Sequence, residues 1–404
     1  MNFTYRCTDC GAEYPDDSIR YLCEKCAHEQ VAGEFQKGVL ETILNPEYLM
    51  SLKNKPAVTA GDFMVYQLPN AAAYPVGSTP LIAPVKLRKQ FNFPNLFLKN
   101  DGANPSGSLK DRASQLVAAQ TLYHNEKTIV LASTGNAGSA MACAGAALGL
   151  KVILFVPATA PIAKLMQSVL YGATVIPIRG TYDDAFKLSI EYTQKFGGIN
   201  RNTAYNPLTI EGKKTVSIEI FNQLGRNTPD VVFVPVGDGS IYAGVYKGFA
   251  DLMNAGLIEK IPQIVGVQAA GSNAIAKAFQ TRKMLAIDKA TTTADSISVA
   301  SPANGRMAVK FMRACNGWAT EVSDTEITQA QLQLCKEAGV FVEPAAAAAW
   351  AGFLKDRHKF NPSQKIIVLL TGLGFKDLSA VEKMVTIPEA VVPCLNEIIN
   401  HGER

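Results

Sequence analysis

The sequence predicts an α/β fold built on parallel sheets. Short apolar runs such as 128–132 and 151–156 alternate with helical stretches such as 111–124 and 139–148. Alternation at this spacing is typical of βαβ units with right-handed crossovers. The apolar runs contain few polar residues, as expected for strands covered on both faces. A chain of 404 residues is long enough for two such domains and a small additional module.

The amino-acid composition and the net charge limit the classes of protein to which the sequence can belong. Hydrophobic residues make up 48% of the chain and charged residues 18%, which is ordinary for a globular enzyme. A net charge of +4 gives no reason to expect a nucleic-acid or membrane partner. The most apolar segment, 137–156, is interrupted by glycines and Lys151 and reads as a helix followed by a strand. The N-terminus has no signal-peptide pattern, so we expect a cytoplasmic protein.

Four cysteines near the N-terminus form two Cys-x-x-Cys pairs. Cys7 and Cys10 are separated by twelve residues from Cys23 and Cys26. Four thiolates presented by two tight turns match tetrahedral zinc, and the spacing is close to that of a zinc ribbon. Two disulfides or four metal-free thiols are the alternatives. With four sulfur ligands the zinc has no open position, so its role would be structural.

Lys110 stands in a segment of small and polar residues, 99–112, that follows a predicted strand. Asn104–Gly107 has turn chemistry, and we expect Ser106 or Ser108 to cap the helix that begins near Asp111, which places Lys110 near the helix N-terminus. The positive end of a helix disfavours an ammonium, so a lysine there loses its proton more easily. Such a lysine can act as an amine nucleophile, as Schiff-base lysines do. The alternative is an ordinary solvated lysine.

Three turns with glycine and hydroxyl residues follow predicted strands, at 133–138, 237–240 and 371–374. Ligands of open α/β sheets bind at this edge, and the N–H groups at a helix start suit a carboxylate or a phosphate. The turn at 237–240 lacks the third glycine of a dinucleotide site and the Gly-Lys-Ser/Thr of a Walker loop. It therefore predicts a site for one compact phosphate group. A phosphate-bearing cofactor held by a lysine Schiff base would use all four segments.

These segments, together with two further blocks, resemble the fold-type II pyridoxal phosphate enzymes, and among them are most similar to the threonine synthases. The order and spacing match from about residue 74 to residue 377. The matching segments are Asn104–Arg112, Ser133–Ala137, Gly237–Gly244, Gly339–Ala345 and Leu370–Asp377.

The resemblance implies two parallel-sheet α/β domains with the cofactor in the cleft between them. On this basis we assign residues 1–32 to a zinc-ribbon-like module. Residues 33–115 and 206–404 would form a large cofactor-binding domain, and 116–205 a small α/β domain. Enzymes of this type are commonly dimers, so the resemblance also implies a homodimer.

The resemblance also implies roles for individual residues. Lys110 would form the Schiff base with pyridoxal 5'-phosphate and later move protons. The other assignments are Asn136 to the cofactor's phenolic oxygen, Gly237, Asp238, Gly239 and Ser240 to its phosphate, Thr371 to its pyridine nitrogen, and Ser133, Thr134 and Gly135 to the substrate carboxylate.

The implied activity is that of a lyase that converts O-phospho-L-homoserine and water to L-threonine and phosphate. A related enzyme acting on O-phosphoserine, such as cysteate synthase, or an ammonia-lyase acting on serine or threonine, would keep the same cofactor residues. A catalytically silent relative that binds a cofactor or a partner is a third possibility. The intact lysine and the three cofactor turns weigh against it.

The sequence departs from the family at three positions. The family carries an arginine that grips the substrate phosphate in the segment matching 206–212, and Thr209 stands at that position. Leu109 replaces a phenylalanine before the lysine, and Leu373 replaces a histidine in the last block. Thr209 is thus part of the predicted substrate site, but it lacks the charge. Three cations could supply the missing charge: Lys164, Arg201 and Arg306.

Overall fold

The computed structural model describes residues 3–382, 385, 386, 390 and 392–394. The strands among them form three sheets. In chain order they are β1 Phe3–Cys7, β2 Glu13–Pro15, β3 Leu40–Leu44, β4 Leu81–Ile82, β5 Leu96–Asn100, β6 Thr128–Ala132, β7 Lys151–Pro157, β8 Thr174–Ile178, β9 Ile199–Asn200, β10 Val231–Pro235, β11 Gln263–Ala269, β12 Trp318–Val322 and β13 Ile366–Leu370.

Helices connect most of these strands. They are α1 Glu24–Ala27, α2 Pro46–Ser51, α3 Val85–Phe91, α4 Lys110–Tyr123, α5 Asn136–Leu148, α6 Ile162–Leu170, α7 Tyr182–Phe196, α8 Leu208–Glu211, α9 Thr215–Gln223, α10 Ser240–Asn254, α11 Ala274–Thr281, α12 Gly305–Ala314, α13 Asp324–Gln333, α14 Pro344–Asp356 and α15 Ser379–Glu382. Short 3-10 turns occur between them, for example Gly212–Lys214 and Asp295–Ile297.

The largest sheet has the strand order β12-β11-β10-β13-β5-β4. Its strands run parallel except for the β4–β5 pair, which is antiparallel. Every residue of β10 and β13 is buried, because helices cover both faces of the sheet. The alanine-rich helix α14 packs closely on this sheet. A Cβ at its Gly352 would lie 2.4 Å from Val267 Cγ2.

A second, fully parallel sheet has the order β8-β7-β6-β9 and is drawn from residues 128–200. The two parallel sheets confirm the predicted fold class. In a parallel sheet the carboxyl ends of neighbouring strands share one edge. Ser133 after β6 and Arg201 after β9 therefore leave this sheet side by side. The backbone supports this pairing, since Arg201 N donates to Val130 O at 2.8 Å.

The third sheet is antiparallel, with the order β2-β1-β3. It includes β3, so it extends beyond residue 32, which we chose as the end of the N-terminal module. The four-stranded sheet lies within the range 116–205 assigned to the small domain. The division into domains remains a prediction.

Helix α4 begins at Lys110, and a buried ion network holds its first turn. Arg112 Nε donates to Asp101 Oδ2 at 2.6 Å, and Arg112 Nη1 donates to Glu219 Oε1 at 2.7 Å. Lys99 Nζ donates to the other Glu219 oxygen at 2.7 Å. Because each buried charge has an opposite partner, the network fixes the start of α4 relative to β5 and α9.

Two local predictions were wrong or incomplete. Neither Ser106 nor Ser108 caps α4, because the helix has no side-chain cap at all. Ser106 instead donates its hydroxyl to the Asp111 carboxylate at 2.8 Å. Strand β12 and helix α11 were not predicted: 318–322 is partly polar, and the N-cap signal of Asn273 before 274–281 was not recognised. No helix in the described part of the chain is long and apolar enough to cross a membrane.

Candidate active site

Lys110 is held at the carboxyl edge of the six-stranded sheet. The segment before it pairs with the turn that follows β13: Leu109 N donates to Thr371 O, and Leu373 N donates to Gly107 O, both at 2.9 Å. Thr371 is buried there. The predicted lysine segment and the predicted pyridine-side hydroxyl are thus direct neighbours, although 261 positions separate Lys110 from Thr371 in the numbering.

The environment of Lys110 favours the neutral amine. Burial lowers the pKa of the Lys110 ammonium, and Arg201 lowers it further, whereas the carboxylates of Asp238 and Glu343 oppose the shift. Lys110 Nζ has no hydrogen bond or ion pair with any residue that the structure describes. A larger fraction of this amine is therefore unprotonated than in a solvated lysine, and it is available as a nucleophile or a base.

Lys110 opens onto a cavity of about 520 Å³. Ser133, Thr134, Gly135 and Asn136 line the same cavity, at the start of α5. Ser133 Oγ accepts hydrogen bonds from Gly135 N at 3.3 Å and from Gly138 N at 3.0 Å, which tightens the turn. The N–H groups at the helix start face a site that suits a carboxylate.

The loop after β10 forms a small pocket beside Lys110, of about 60 Å³. Gly239 has φ +90°, and a Cβ at Gly237 would lie 2.9 Å from Ile297 Cα, so both positions require glycine. Asp238 Oδ1 accepts from Ser240 N at 2.9 Å. The Ser240 hydroxyl is buried and has no partner among the described residues. A compact anion at the start of α10 would satisfy it.

Asp238 is an unusual member of this pocket because it is an acid in a predicted phosphate loop. Burial raises its pKa, but the ammonium groups of Lys110 and Lys213 lower it more, so the pKa lies below its ordinary value. The side chain is therefore a carboxylate at neutral pH, compensated by two lysines. Lys213 was not among the residues predicted for the site.

Glu343 is a further site residue that the sequence did not reveal. Its carboxylate accepts two hydrogen bonds from Asn136 Nδ2, at 3.0 and 2.9 Å. Ser296 Oγ donates to it at 3.3 Å. Burial raises the pKa of Glu343 above its ordinary value. Glu343 fixes the amide of Asn136, and the contact spans 207 positions, so no local pattern could have shown it.

Thr209 is not brought to the cavity. Its side chain is fully buried on α8, where the hydroxyl donates to Asn206 O at 2.7 Å and accepts from Ala204 N at 3.0 Å. It is absent from the residues that line the two cavities at Lys110. In this structure Thr209 supports the backbone of α8, and its place in the substrate site stays a prediction.

The structure separates the three cations that could replace the missing arginine. Lys164 Nζ pairs with Asp295 at 2.7 Å, and Arg306 Nη2 pairs with Glu34 at 2.8 Å. Arg201 forms no ion pair with any described residue. Its Nε and Nη2 atoms are buried without hydrogen-bond partners. Among these three, Arg201 is the one whose buried donors lack partners and which has no ion pair in the described part of the chain.

The four N-terminal cysteines converge as predicted. Their sulfur atoms all lie within 4.8 Å of one another. The Cys7–Cys26 and Cys10–Cys23 sulfur distances are both 3.7 Å, so neither pair is a disulfide. Zn–S bonds of about 2.3 Å in a tetrahedron place the sulfurs about 3.8 Å apart. The cluster has the size that a tetrahedral metal site requires.

Comparison with known proteins agrees with this geometry. Residues 72–372 match the sequence profile of the family described as "Pyridoxal-phosphate dependent enzyme". The chain belongs to this family. It is 32% identical over 389 residues to a threonine synthase of Methanocaldococcus jannaschii, covering 93% of each chain. It is 31% identical over 409 residues to a threonine synthase of Methanosarcina acetivorans, covering 98% of each.

Solved structures of pyridoxal-phosphate enzymes share the fold. The processed form of threonine deaminase isoform 2 from Solanum lycopersicum superposes with a TM-score of 0.66 at 22% identity, covering 84% of this chain and 93% of that one. Maize serine racemase also gives a TM-score of 0.66 at 22% identity, covering 83% and 96%. At this level of identity the likeness concerns the fold.

Pyridoxal phosphate is the cofactor of this family, and the residues present fit it. Lys110 supplies an unpaired amine with a lowered pKa. The loop 237–240 supplies a glycine-lined pocket at a helix start, with the unpartnered Ser240 hydroxyl. Both groups open onto one pocket, as a cofactor with an aldehyde at one end and a phosphate at the other requires.

Proposed function

We propose that this protein is a pyridoxal phosphate-dependent lyase that converts O-phospho-L-homoserine and water to L-threonine and phosphate. The observation that carries the proposal is the meeting of Lys110, the carboxylate-binding turn at Ser133–Asn136 and the phosphate loop at 237–240 around adjoining cavities. The threonine synthases that match nearly the whole chain support this choice of reaction.

Each side chain then has a task. When bound, pyridoxal phosphate supplies an electron sink for negative charge at the substrate's α-carbon. Lys110 Nζ would take the α-proton, release it to the cofactor side of the bound substrate, and only then take a β-proton; burial lowers its pKa, which favours the neutral amine that each step requires. Ser133, Thr134 and Gly135 hold the substrate carboxylate at the start of α5.

The remaining contacts orient the cofactor. Asn136, fixed by Glu343, would hold the phenolic oxygen, and the backbone of 237–240 with the Ser240 hydroxyl would hold the phosphate. Thr371 would face the pyridine nitrogen with a neutral hydroxyl, which would leave that nitrogen largely unprotonated. The buried strand ends around Lys110 limit access of water, which protects reactive species from side reactions.

We also propose that Cys7, Cys10, Cys23 and Cys26 bind one structural zinc ion. The sulfur spacing supports this, as does the Tyr14 hydroxyl, which lies 3.1 Å from Cys23 Sγ. Metal analysis of the purified protein tests it, with about one zinc per chain expected.

We further propose that the protein is a cytoplasmic homodimer and has no nucleic-acid or membrane partner.

A second candidate is a β-replacement or elimination enzyme acting on O-phosphoserine or on serine or threonine. The observation that favours it is Thr209, which stands where the family carries the arginine for the substrate phosphate and faces the backbone instead. The cofactor residues do not distinguish the two reactions.

Product analysis with the cofactor-loaded protein tests both. O-phosphohomoserine, O-phosphoserine with and without sulfite, serine and threonine are offered separately, and phosphate and amino-acid products are measured. Threonine and phosphate from O-phosphohomoserine are expected. Phosphate released only from O-phosphoserine would move the assignment to the second candidate. A protein that binds the cofactor but turns over none of these substrates would contradict both.

A further inference from the structure

Arg201 is a buried cation that forms no ion pair with any residue the structure describes. Its side chain is fully buried, and its only side-chain hydrogen bond to a described residue runs from Nη1 to Thr203 Oγ1, at 2.8 Å. The Nε and Nη2 atoms are buried and unsatisfied. A buried guanidinium with unsatisfied donors is costly, so such a group in a native fold calls for a bound partner.

The surroundings of Arg201 direct it to the cavity at Lys110. Arg201 follows β9 at the carboxyl edge of the small sheet, next to the turn that begins at Ser133. Its hydrogen-bond partner Thr203 lines the 520 Å³ cavity, and so do Tyr182 and Asp238, with which the guanidinium interacts electrostatically. Arg201 is not itself among the residues that line the cavity, so its guanidinium lies behind Thr203, Tyr182 and Asp238.

Lys213 is a second buried cation beside it. Its side chain is fully buried, and Nζ donates to the carbonyl oxygen of Thr209, one helical turn earlier. Side chains on a helix lean toward its N-terminus, so the ammonium of Lys213 lies over the turn that carries Thr209. Lys213 forms no ion pair within the described chain. Burial, followed by repulsion from Lys110 and Arg201, lowers its pKa well below the ordinary value.

The charges around this point do not balance. Lys110, Arg201 and Lys213 all interact with Asp238, the one carboxylate that is common to them. The neighbouring buried lysine, Lys214, shows the contrast, because it is paired with both Glu211 and Asp251. Arg201 and Lys213 outnumber the one carboxylate that they share, and a phosphate monoester, with a charge of about −1.5 to −2 at pH 7, would favour the charged form of both side chains.

We propose that Arg201 and Lys213 together bind the phosphate group of the substrate, in place of the arginine that related enzymes carry at the position of Thr209. The proposal rests on the proposed function for the identity of that substrate. Compared with those enzymes, the positive charge is absent from position 209 and present at two others. These are Arg201, directly after β9, and Lys213, one helical turn after Thr209. Arg201 supplies a fork of donors, and Lys213 supplies a point charge.

The cofactor phosphate is the other group that this pair could hold. The small pocket lined by Gly237, Asp238 and Gly239 lies at the start of α10, where backbone N–H groups are available to that phosphate. Arg201 is instead bonded to Thr203, which lines the larger cavity and not the small pocket. The larger cavity is the one that also contains the predicted carboxylate site. The substrate is therefore the better match.

The test uses the cofactor-loaded full chain and the variants Arg201→Met and Lys213→Met. We expect the KM for O-phosphohomoserine to rise about 10- to 100-fold, because each variant loses charge-assisted hydrogen bonds. The inhibition constant of inorganic phosphate should rise in parallel. The affinity for the cofactor, followed by its absorbance after dialysis, should stay unchanged. Arg201→Lys and Lys213→Arg keep the charge and should give intermediate values.

Lys164→Met serves as the matched control, because it also removes one positive charge near the site but from a residue paired with Asp295. The KM of Lys164→Met for O-phosphohomoserine should stay within about twofold of the wild-type value. An equal rise in KM in Lys164→Met overturns the proposal. An unchanged inhibition constant of inorganic phosphate in folded Arg201→Met also overturns it. If the Arg201→Met and Lys213→Met proteins lose the cofactor while the KM of the cofactor-loaded fraction is unchanged, the proposal is overturned. Arg201 and Lys213 are then assigned to the cofactor phosphate.

The experiment also separates this proposal from the proposed function, because the two can fail independently. If the wild-type protein does not turn over O-phosphohomoserine, binding of inorganic phosphate is measured by the change in cofactor absorbance. A binding constant that weakens in both Met variants then upholds the phosphate site while the reaction is reassigned. Should a Met variant not fold, the charge-conserving variants against Lys164→Met decide the same question.

Discussion

The cysteine cluster and the Lys110 site are built in opposite ways. The four cysteines come from residues 7–26, and two turns are enough to bring their sulfurs within 4.8 Å. The Lys110 site joins residues 110, 136, 238 and 343, which lie on different helices and loops of two sheets. The first site depends on local chain geometry. The second depends on the packing of the whole fold.

This difference predicts how each site fails. A local metal site is lost when one ligand is lost, but the remainder of the chain keeps its own core. An assembled site is sensitive both to its own side chains and to the network that positions the strand ends. The two regions also touch, because Tyr21 of the N-terminal module stacks on Tyr205, at 4.6 Å between ring centroids.

Lys110→Ala should have the largest effect. Turnover should fall by about 10³-fold or more, because the variant loses both the amine that holds the cofactor and the proton carrier. Absorbance of the bound cofactor and product formation are measured together. Lys164→Ala is the control and should keep both. A Lys110→Ala protein with substantial turnover would remove Lys110 from the centre of the site.

Replacing two cysteines should separate the sites. In Cys10→Ser/Cys26→Ser, we expect bound zinc to fall from about one ion per chain to none, with a clear drop in thermal stability. The cofactor should still bind, because none of its predicted residues lies in the module. Cys335→Ser is the control and should retain the metal. Simultaneous loss of metal and cofactor binding would show that the sites are not independent.

Glu219 allows a test of the buried ion network that holds the start of α4, because it pairs with both Arg112 and Lys99. Burial raises its pKa, but Arg112 and then Lys99 lower it more, from 4.5 to about 2. A carboxylate whose folded pKa is depressed adds stability above its unfolded pKa and loses that stability as the pH falls. The wild-type protein should therefore lose about 3 kcal/mol of stability between about pH 4.5 and pH 2 from this group.

Glu219→Gln should lack this pH-dependent loss and should be less stable than wild type at pH 7 by about 3 kcal/mol, since Arg112 and Lys99 lose a partner. Denaturant unfolding at pH 7 and across the acidic range measures both effects. Glu191→Gln changes an exposed carboxylate on α7 and should match wild type. A Glu219→Gln protein with wild-type stability at pH 7 would show that the network does not hold α4.

Tyr21→Phe should have the smallest effect. The Tyr21 hydroxyl accepts a hydrogen bond from Asn200 N at 2.9 Å, directly before Arg201. Its loss should lower stability by about 1 kcal/mol and raise the KM for the phosphorylated substrate by at most about fivefold. Tyr48→Phe loses a comparable bond, to Asp62 O at 2.9 Å, far from the site. It should lower stability with no change in KM.

Much of the fold was predictable because it follows from local chemistry. Strands β6 and β8 begin and end where the apolar runs do, at 128–132 and 174–178. The turns at 133–138 and 237–240 were recognisable because glycine and hydroxyl residues follow those runs. Strand β12 was missed because it lies toward the edge of its sheet and is partly polar. Edge positions need less apolar character, so the signal is weak there.

By itself, the sequence determined the order of the elements, the cysteine cluster and the lysine with its three turns, because each is encoded within a few neighbouring residues. Only the tertiary structure decided which distant groups meet. It placed Glu343 on Asn136, turned Thr209 toward the backbone, and left Arg201 and Lys213 without an ion pair in the described part of the chain. Burial and charge balance are properties of the packed molecule, and no local pattern encodes them.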